Sequence, residues 1–286
     1  MSENRSKLMR SQISCFADEI AVSLDRQIAV LQDLDIRWIE LRSSDGISVA
    51  DFTPEYARQV KEKLDKAGIR VSAIGSPLGK IGIDEDFVSH MKTFDKITHL
   101  ANVFETPYIR IFSFYLPEGR KPESCREQVM RRIEQMVKEA TRCRVILLHE
   151  NEKQIYGDNA ARCQDLMNHF AGENFRCTFD FANFIECDQD TMEAYSLLKP
   201  YIEYVHIKDA LHETKEIVPA GKGDGQLSAI LPLLEESGYT GFFSLEPHLA
   251  NFSGLSKLEQ NAALRAENDT EKAFRLAYHS FMELLG

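Results

Sequence analysis

Eight short runs rich in β-branched and aromatic residues recur along the chain, and segments of helical periodicity lie between them. The runs are QISCF (12–16), RWIELR (37–42), IRVSAIG (69–75), YIRIFSF (108–114), RVILLHE (144–150), CTFD (177–180), YVHIK (204–208) and FFSLE (242–246). Such runs read as buried parallel strands, and a parallel strand needs a crossover, usually a helix, before its neighbour. The intervening segments supply it. Thr53 is a natural N-cap with Pro54 at the first helical position, Tyr56, Val60 and Leu64 follow on one face, and Gly68 ends the helix. Phe87, Met91, Phe94, Thr98 and Ala101 mark a second stripe, and Val129, Ile133, Val137 and Ala140 a third. A last helix begins around Asn268 or Asp269 and runs to Leu285, directing Ala273, Leu276 and Phe281 inward. Alternating strands and helices imply a parallel sheet. Eight units favour closure into an α/β, (β/α)8 TIM barrel over an open sheet, and no GxGxxG follows the first strand.

A length of 286 residues suits one such barrel, read here as a single domain over 1–286 with 1–11 a flexible N-terminal extension. Hydrophobic residues make up 43% and charged residues 28%, enough for a large core in a globular protein. The net charge of −11 argues against a broad nucleic-acid surface, which needs clustered Lys and Arg. The opening MSENRSKLMRSQ lacks the apolar stretch of a signal peptide, and no run approaches the ~20 apolar residues of a membrane span. The six cysteines form no CxxC pair and read as free thiols in a reducing compartment. The expectation is a cytoplasmic protein with a small-molecule partner, no nucleic acid and no membrane, assembled as a homodimer or homotetramer.

Four residues able to ligate a metal, Glu150, Asp180, His206 and Glu246, each end an apolar run, at intervals of 30, 26 and 40 residues. In a barrel of this type they emerge together on the C-terminal rim, where active sites lie. Asp180 is also readable as a plain loop-starting aspartate. Glu150, His206 and Glu246 directly follow apolar residues, where an unpaired charge is costly. One shared divalent cation solves that problem, and buried ion pairs are the other solution. Three carboxylates and an imidazole suit Mn²⁺ first, with Mg²⁺, Co²⁺ and Zn²⁺ also compatible.

The motifs around these residues, HENEKQIYGD (149–158), FDFANF (179–184), HIKDA (206–210), PAGKGDG (219–225) and SLEPH (244–248), resemble those of the sugar-phosphate isomerase/epimerase family with a xylose-isomerase-like TIM barrel. FADEI (16–20) and WIELRS (38–43) add a looser likeness in the first half. The resemblance implies one divalent metal held by Glu150, Asp180, His206 and Glu246, with Glu150 and Glu246 also the catalytic proton-transfer groups. The reaction it implies is isomerisation or epimerisation of a ketose, a sugar phosphate or a related polyhydroxy carbonyl compound through a cis-enediolate. A metal would polarise the carbonyl and acidify the adjacent C–H for such carboxylates. With a leaving hydroxyl the same site would dehydrate, so an inosose or dehydroshikimate type of dehydratase is the alternative reading. A non-catalytic sugar-binding barrel and an endonuclease IV-like nuclease are weaker alternatives. For the nuclease the chain offers Ser76, Ser113 and Asn183 where a three-zinc site needs histidines.

Further candidates are substrate contacts. Lys208, two residues past His206, shares its side of the strand and reads either as a substrate contact or as a salt bridge to Asp209 or Glu40. Glu152 and Tyr156 lie in the loop after Glu150. Asn183 stands three residues after Asp180, as a substrate contact or a support for the ligands. Glu40 and Arg42 share a parity, and either enter the site together or pair to fill the barrel mouth. His149 reads as a satisfied structural histidine, His248 as a rim or interface residue, and Phe16 and Phe112 as either an apolar wall or ordinary core. Lys222 in PAGKGDG could meet a phosphate, although the glycines also suit plain turns.

Overall fold

The computed structural model describes residues 12–250 and 269–286. The expected extension over 1–11 and Asn268 lie outside the described residues. Eight parallel strands form one sheet: β1 (Ile13–Cys15), β2 (Trp38–Leu41), β3 (Arg70–Ile74), β4 (Tyr108–Ile111), β5 (Ile146–Glu150), β6 (Phe175–Asp180), β7 (Ile202–Ile207) and β8 (Phe242–Leu245). Each pairs with the next from β2 to β8, β8 pairs with β1 through Ser14↔Ser244, and β1 lies beside β2. The result is a (β/α)8 barrel, as the alternation of segments predicts. The fourth run stops at Ile111 instead of Phe114. Beyond it the chain turns to the loop after β3, where the Phe112 and Phe114 amides donate to the carbonyls of Leu78 and Gly79.

Strand alternation separates two interiors. Ile39, Leu41, Ile109, Ile111, Leu147, Phe179, Val205, Ile207, Phe243 and Leu245 point outward into the main apolar core beneath the helices. Ala73, Leu148 and Tyr204 point into the barrel, where the Tyr204 hydroxyl meets Ser72 Oγ at 2.8 Å and Ser72 meets Ser14 at 2.6 Å. One step further along β5 and β7 in the same inward parity come Glu150 and His206. The inward layer at the rim is therefore polar by sequence register.

The helices around the barrel are α1 (Leu24–Asp33), α2 (Pro54–Ala67), α3 (Phe87–Val103), α4 (Pro122–Cys143), α5 (Ala160–Phe170), α6 (Phe181–Glu186), α7 (Thr191–Leu198), α8 (Leu227–Glu236) and α9 (Thr270–Leu285). The Thr53 hydroxyl caps α2 by accepting from the Tyr56 amide, and Gly68 ends it at φ 71°. Val129, Ile133 and Ala140 of α4 and Phe94, Thr98 and Ala101 of α3 are buried as their spacing predicts. In α9 the expected inward stripe needs correction. Ala273 and Phe281 are buried, but Leu276 is 52% exposed. The buried face runs through Ala273, Phe274, Ala277, Ser280 and Phe281, and at 3.6 residues per turn Leu276 falls on its flank. Among the described residues no helix is long and apolar enough to cross a membrane. The six cysteines are free, four of them buried.

Candidate metal centre at the barrel mouth

The four ligand candidates converge. Glu150 ends β5, Asp180 ends β6, His206 lies near the end of β7 and Glu246 follows β8. Register aligns them, since Asp180 pairs with His206 and His206 with Ser244, two residues before Glu246. All four are buried, and one ligating atom from each lies within 4.8 Å of the others. One atom from each side chain also makes no hydrogen bond: Glu150 Oε2, Asp180 Oδ2, His206 Nδ1 and Glu246 Oε2. Buried polar atoms are normally satisfied. A buried cluster of three carboxylates and an imidazole, each with one atom free of hydrogen bonds, fits a divalent cation with oxygen-rich coordination.

The remaining atoms of these side chains are held. His206 Nε2 lies 3.0 Å from Glu40 Oε2, so the N–H on that side donates to Glu40 and Nδ1 faces the carboxylates, where it could offer its lone pair to a cation. That carboxylate–imidazole support is the usual backing of a metal-ligating histidine. Nδ1 sits 3.2 Å from both Glu150 Oε1 and Glu246 Oε2, but neither contact is directed as a hydrogen bond. Phe16 meets the His206 ring edge-on at 5.3 Å between centroids. Asp180 serves two roles through two oxygens, because Oδ1 caps α6 by accepting from the Asn183 amide at 2.8 Å while Oδ2 turns to the cluster. Asn151 fixes the Asp180 backbone by donating to its carbonyl and accepting from its amide, both at 3.0 Å.

Cations surround the carboxylates. Arg42 donates to Glu246 Oε1 at 2.9 Å and to both oxygens of Asp18. Arg110 lies 3.2 Å from Glu150 Oε2 and 3.5 Å from Glu246 Oε1. Lys208 Nζ donates to Asn183 Oδ1 at 2.8 Å and lies 3.3 Å from Asp180 Oδ2. Burial pushes the Glu150 carboxyl up, but His206 and Arg110 overcome it and bring it down to about 2. Burial likewise raises Glu246, and Lys208 with His206 and His248 holds it well below the usual carboxylate range. For Asp180 burial prevails over Lys208 and pushes it up to about 7. Burial works against the protonated His206 ring, yet Glu40 and Glu150 raise it well above its ordinary value. The excess of carboxylates thus favours a positive charge at the centre, which is the role a bound cation fills.

The candidates from the sequence divide into those at the cluster and those beside it. Lys208 and Asn183 are there, and Asn183 links the parts by donating to Glu150 Oε1 at 3.1 Å and accepting from Lys208. Glu40 and Arg42 both face the barrel mouth; one backs His206 and the other clamps Glu246. The carboxylates beside Lys208 are Asp180 Oδ2 at 3.3 Å and Glu246 Oε2 at 3.9 Å. Glu152 pairs with Lys80 at 3.0 Å, and Lys80 lies over the Phe112 ring. Tyr156 turns to α5, where its hydroxyl donates to Asp165 at 2.6 Å. Asp209 takes the amides of Gly221, Gly223 and Gly225 at 2.9 to 3.0 Å, so the PAGKGDG loop wraps a carboxylate of its own chain, which occupies the donors a phosphate would need. An added Cβ at Gly223 would stand 2.5 Å from Asp209 Oδ1. His149 is fully buried, but neither ring nitrogen has a hydrogen-bond partner, so it is not the satisfied histidine the alternation implies. His248 is buried instead of lying on an open rim, with Nε2 3.4 Å from Glu19 and 3.5 Å from Glu246. Those three residues also cluster as possible ligands, but Arg42 already supplies positive charge to both carboxylates there.

Arg110, Asp18 and Glu19 escaped the sequence reading as site residues. For Arg110 the signal was present, because a charged residue at the inward parity of an apolar strand is as costly in YIRIF as in WIELR. Asp18 and Glu19 sit in a short 3-10 turn (Ala17–Glu19), where no strand parity marks their direction.

The fold and the ligand set define a metal-coordinating barrel of an enzyme superfamily. The chain belongs to the xylose isomerase-like TIM barrel family, whose model matches residues 28–273. A curated relative, 3-dehydroshikimate dehydratase from Bacillus anthracis, is 23% identical over 162 residues, which span 54% of this chain and 57% of that protein. Among solved structures, the probable 3-DHS dehydratase AsbF from Bacillus anthracis aligns with a TM-score of 0.68 at 18% identity, covering 82% of this chain and 92% of that one. IOLI protein with a bound zinc atom aligns with a TM-score of 0.73 at 15% identity, over 96% of this chain and 98% of that one. The 3-keto-D-glucoside 4-epimerase YcjR from E. coli reaches a TM-score of 0.67 at 14% identity, covering 93% and 95%.

Proposed function

We propose that the protein is a divalent-metal-dependent dehydratase acting on a polyhydroxylated carbonyl compound with a hydroxyl one carbon beyond the acidic C–H. The carrying observation is the buried cluster of four potential ligands, each with one atom free of hydrogen bonds, with the ammonium of Lys208 beside it. A divalent cation held by Glu150, Asp180, His206 and Glu246 would polarise the substrate carbonyl and acidify the neighbouring C–H. Glu150 and Glu246 would be the carboxylates that take that proton. The C–H electrons would form the new double bond as the C–O bond breaks, and the Lys208 ammonium would protonate the departing hydroxyl as water. The product is a conjugated carbonyl compound. The curated dehydratase relative supports this branch over the one in which the proton returns to carbon.

Isomerisation or epimerisation shares every step up to the deprotonated carbonyl compound and is the second reading. It draws on Glu150 and Glu246 reaching the centre from β5 and β8, three strands apart around the barrel, and on the structural likeness to the 4-epimerase. One experiment separates the two. The Mn²⁺-reconstituted protein, incubated in D₂O with a panel of ketoses, polyhydroxy cyclohexanones and 3-dehydroshikimate, should generate a conjugated carbonyl chromophore with loss of a hydroxyl. Deuterium entering carbon with no chromophore selects the second reading. Neither signal on any compound rejects both. Within the first reading, Lys208→Met should slow elimination by roughly 10²–10⁴-fold while sparing hydrogen exchange at the acidic carbon.

A further inference from the structure

The fixed charges around the centre constrain what else can enter it. Six buried carboxylates enclose it: Asp18, Glu19, Glu40, Glu150, Asp180 and Glu246. Among the described residues three buried cations face them, Arg42, Arg110 and Lys208, and each is already engaged. A divalent ion in the cluster would bring the positive charges to five, one short of the six carboxylates. His206 adds nothing as a neutral ligand.

The next cation outward is also cancelled. Lys80 lies 4.3 Å from the centroid of Phe112, whose ring also carries the Arg110 guanidinium at 5.0 Å, so Lys80 borders the site. Its ammonium is tied to Glu152, two residues past the ligand Glu150, at 3.0 Å, and both side chains are largely buried. Among the described residues, a carboxylate or phosphate on the substrate would meet no uncompensated positive charge, in surroundings where burial strengthens repulsion.

We infer that the site takes an uncharged polyhydroxy carbonyl compound and discriminates against carboxylated and phosphorylated ones, and that Glu152 enforces this by neutralising Lys80. The inference rests on the metal-dependent carbonyl chemistry proposed above and adds the charge class of the substrate. It separates this chain from its curated relative, whose name specifies a carboxylate substrate.

The test uses matched pairs on the Mn²⁺-loaded full chain: 3-dehydroshikimate against its methyl ester, and fructose 6-phosphate against fructose. Calorimetric titration, with turnover followed separately, should show the neutral member of a pair bound roughly tenfold or more tightly, a discrimination that one unit of like charge at close range readily supplies. Glu152→Gln should release Lys80 and narrow that ratio by tightening the anionic member alone, and adding Lys80→Met to it should restore the ratio. Equal or tighter binding of the anions by the unaltered chain, or a ratio that Glu152→Gln does not move, overturns the inference. Anion preference accompanied by turnover would do so while leaving the metal-dependent reaction standing. Binding of none of these compounds would remove both.

Discussion

At the residue scale the centre is built from atoms whose two ends do different work. Asp180 caps a helix with one oxygen and offers the other to the cluster; His206 gives one nitrogen to Glu40 and offers the other. Glu40 is therefore a positioning residue whose loss should be felt through the metal. Glu40→Ala should weaken divalent-ion binding by about 10- to 100-fold, as removal of such supports does elsewhere, measured by competition with a chromophoric chelator. Unchanged affinity would show that Phe16 and Tyr204, which pack against the ring at 5.3 and 5.8 Å, suffice to orient it. Arg110 behaves differently, because it compensates two carboxylates at once. Arg110→Met should destabilise the chelator-treated protein by about 3–5 kcal/mol, the usual cost of leaving buried charge unpaired. A cation bound in the cluster should recover part of that loss, and urea unfolding with and without Mn²⁺ measures both.

At the scale of elements, the loop after β3 is the one that brings Lys80 to the site, and α3 holds it. The Gly79 amide donates to His90 Nε2 at 2.9 Å, which requires a neutral imidazole. Gly79 itself has φ 85°, and a Cβ there would stand 1.9 Å from the Phe112 carbonyl oxygen, so this turn has no room for another residue. Burial, with Arg132 adding to it, pushes His90 down to about 4 from an ordinary 6.5. The unfolded chain takes up that proton near its ordinary value, and the folded chain only near pH 4. Stability is accordingly full above the ordinary value and falls as pH drops through the window between them, by at most about 3 kcal/mol from this group. Urea midpoints at about pH 7.5 and about pH 5 should differ, and His90→Gln, which keeps an acceptor for Gly79 but cannot titrate, should shrink the difference. An unchanged difference would assign the acid sensitivity to other groups.

At the scale of the whole molecule, strands distant in sequence meet only because the barrel forms, so a bound ion ties folding to the centre. At a free concentration one hundred times its dissociation constant, a divalent ion that binds only the folded chain adds about 2.7 kcal/mol. A chelator-reversible rise of the thermal midpoint should report it, and no rise with Mn²⁺, Mg²⁺, Co²⁺ or Zn²⁺ would argue against the centre. The eight strands, their order and the convergence of Glu150, Asp180, His206 and Glu246 at the mouth were readable in the sequence, because strand alternation and the cost of a charge after an apolar run are local facts with a fixed period. The same parity also marked Glu40, Arg42 and Lys208 as inward. It could not say that Glu40 backs His206 while Arg42 clamps Glu246, nor that Lys80 neutralises Glu152 or that Asp209 fills the glycine loop. The first three pairings join residues 72 to 204 positions apart and depend on the distances that closure of the barrel sets, whereas the Asp209 pairing spans 12 to 16 positions and depends on how the loop turns back on itself. The sequence by itself determined which side chains face the mouth. Only the tertiary structure decided which charges cancel there, because electrostatic compensation is a property of separation in space and has no period along the chain.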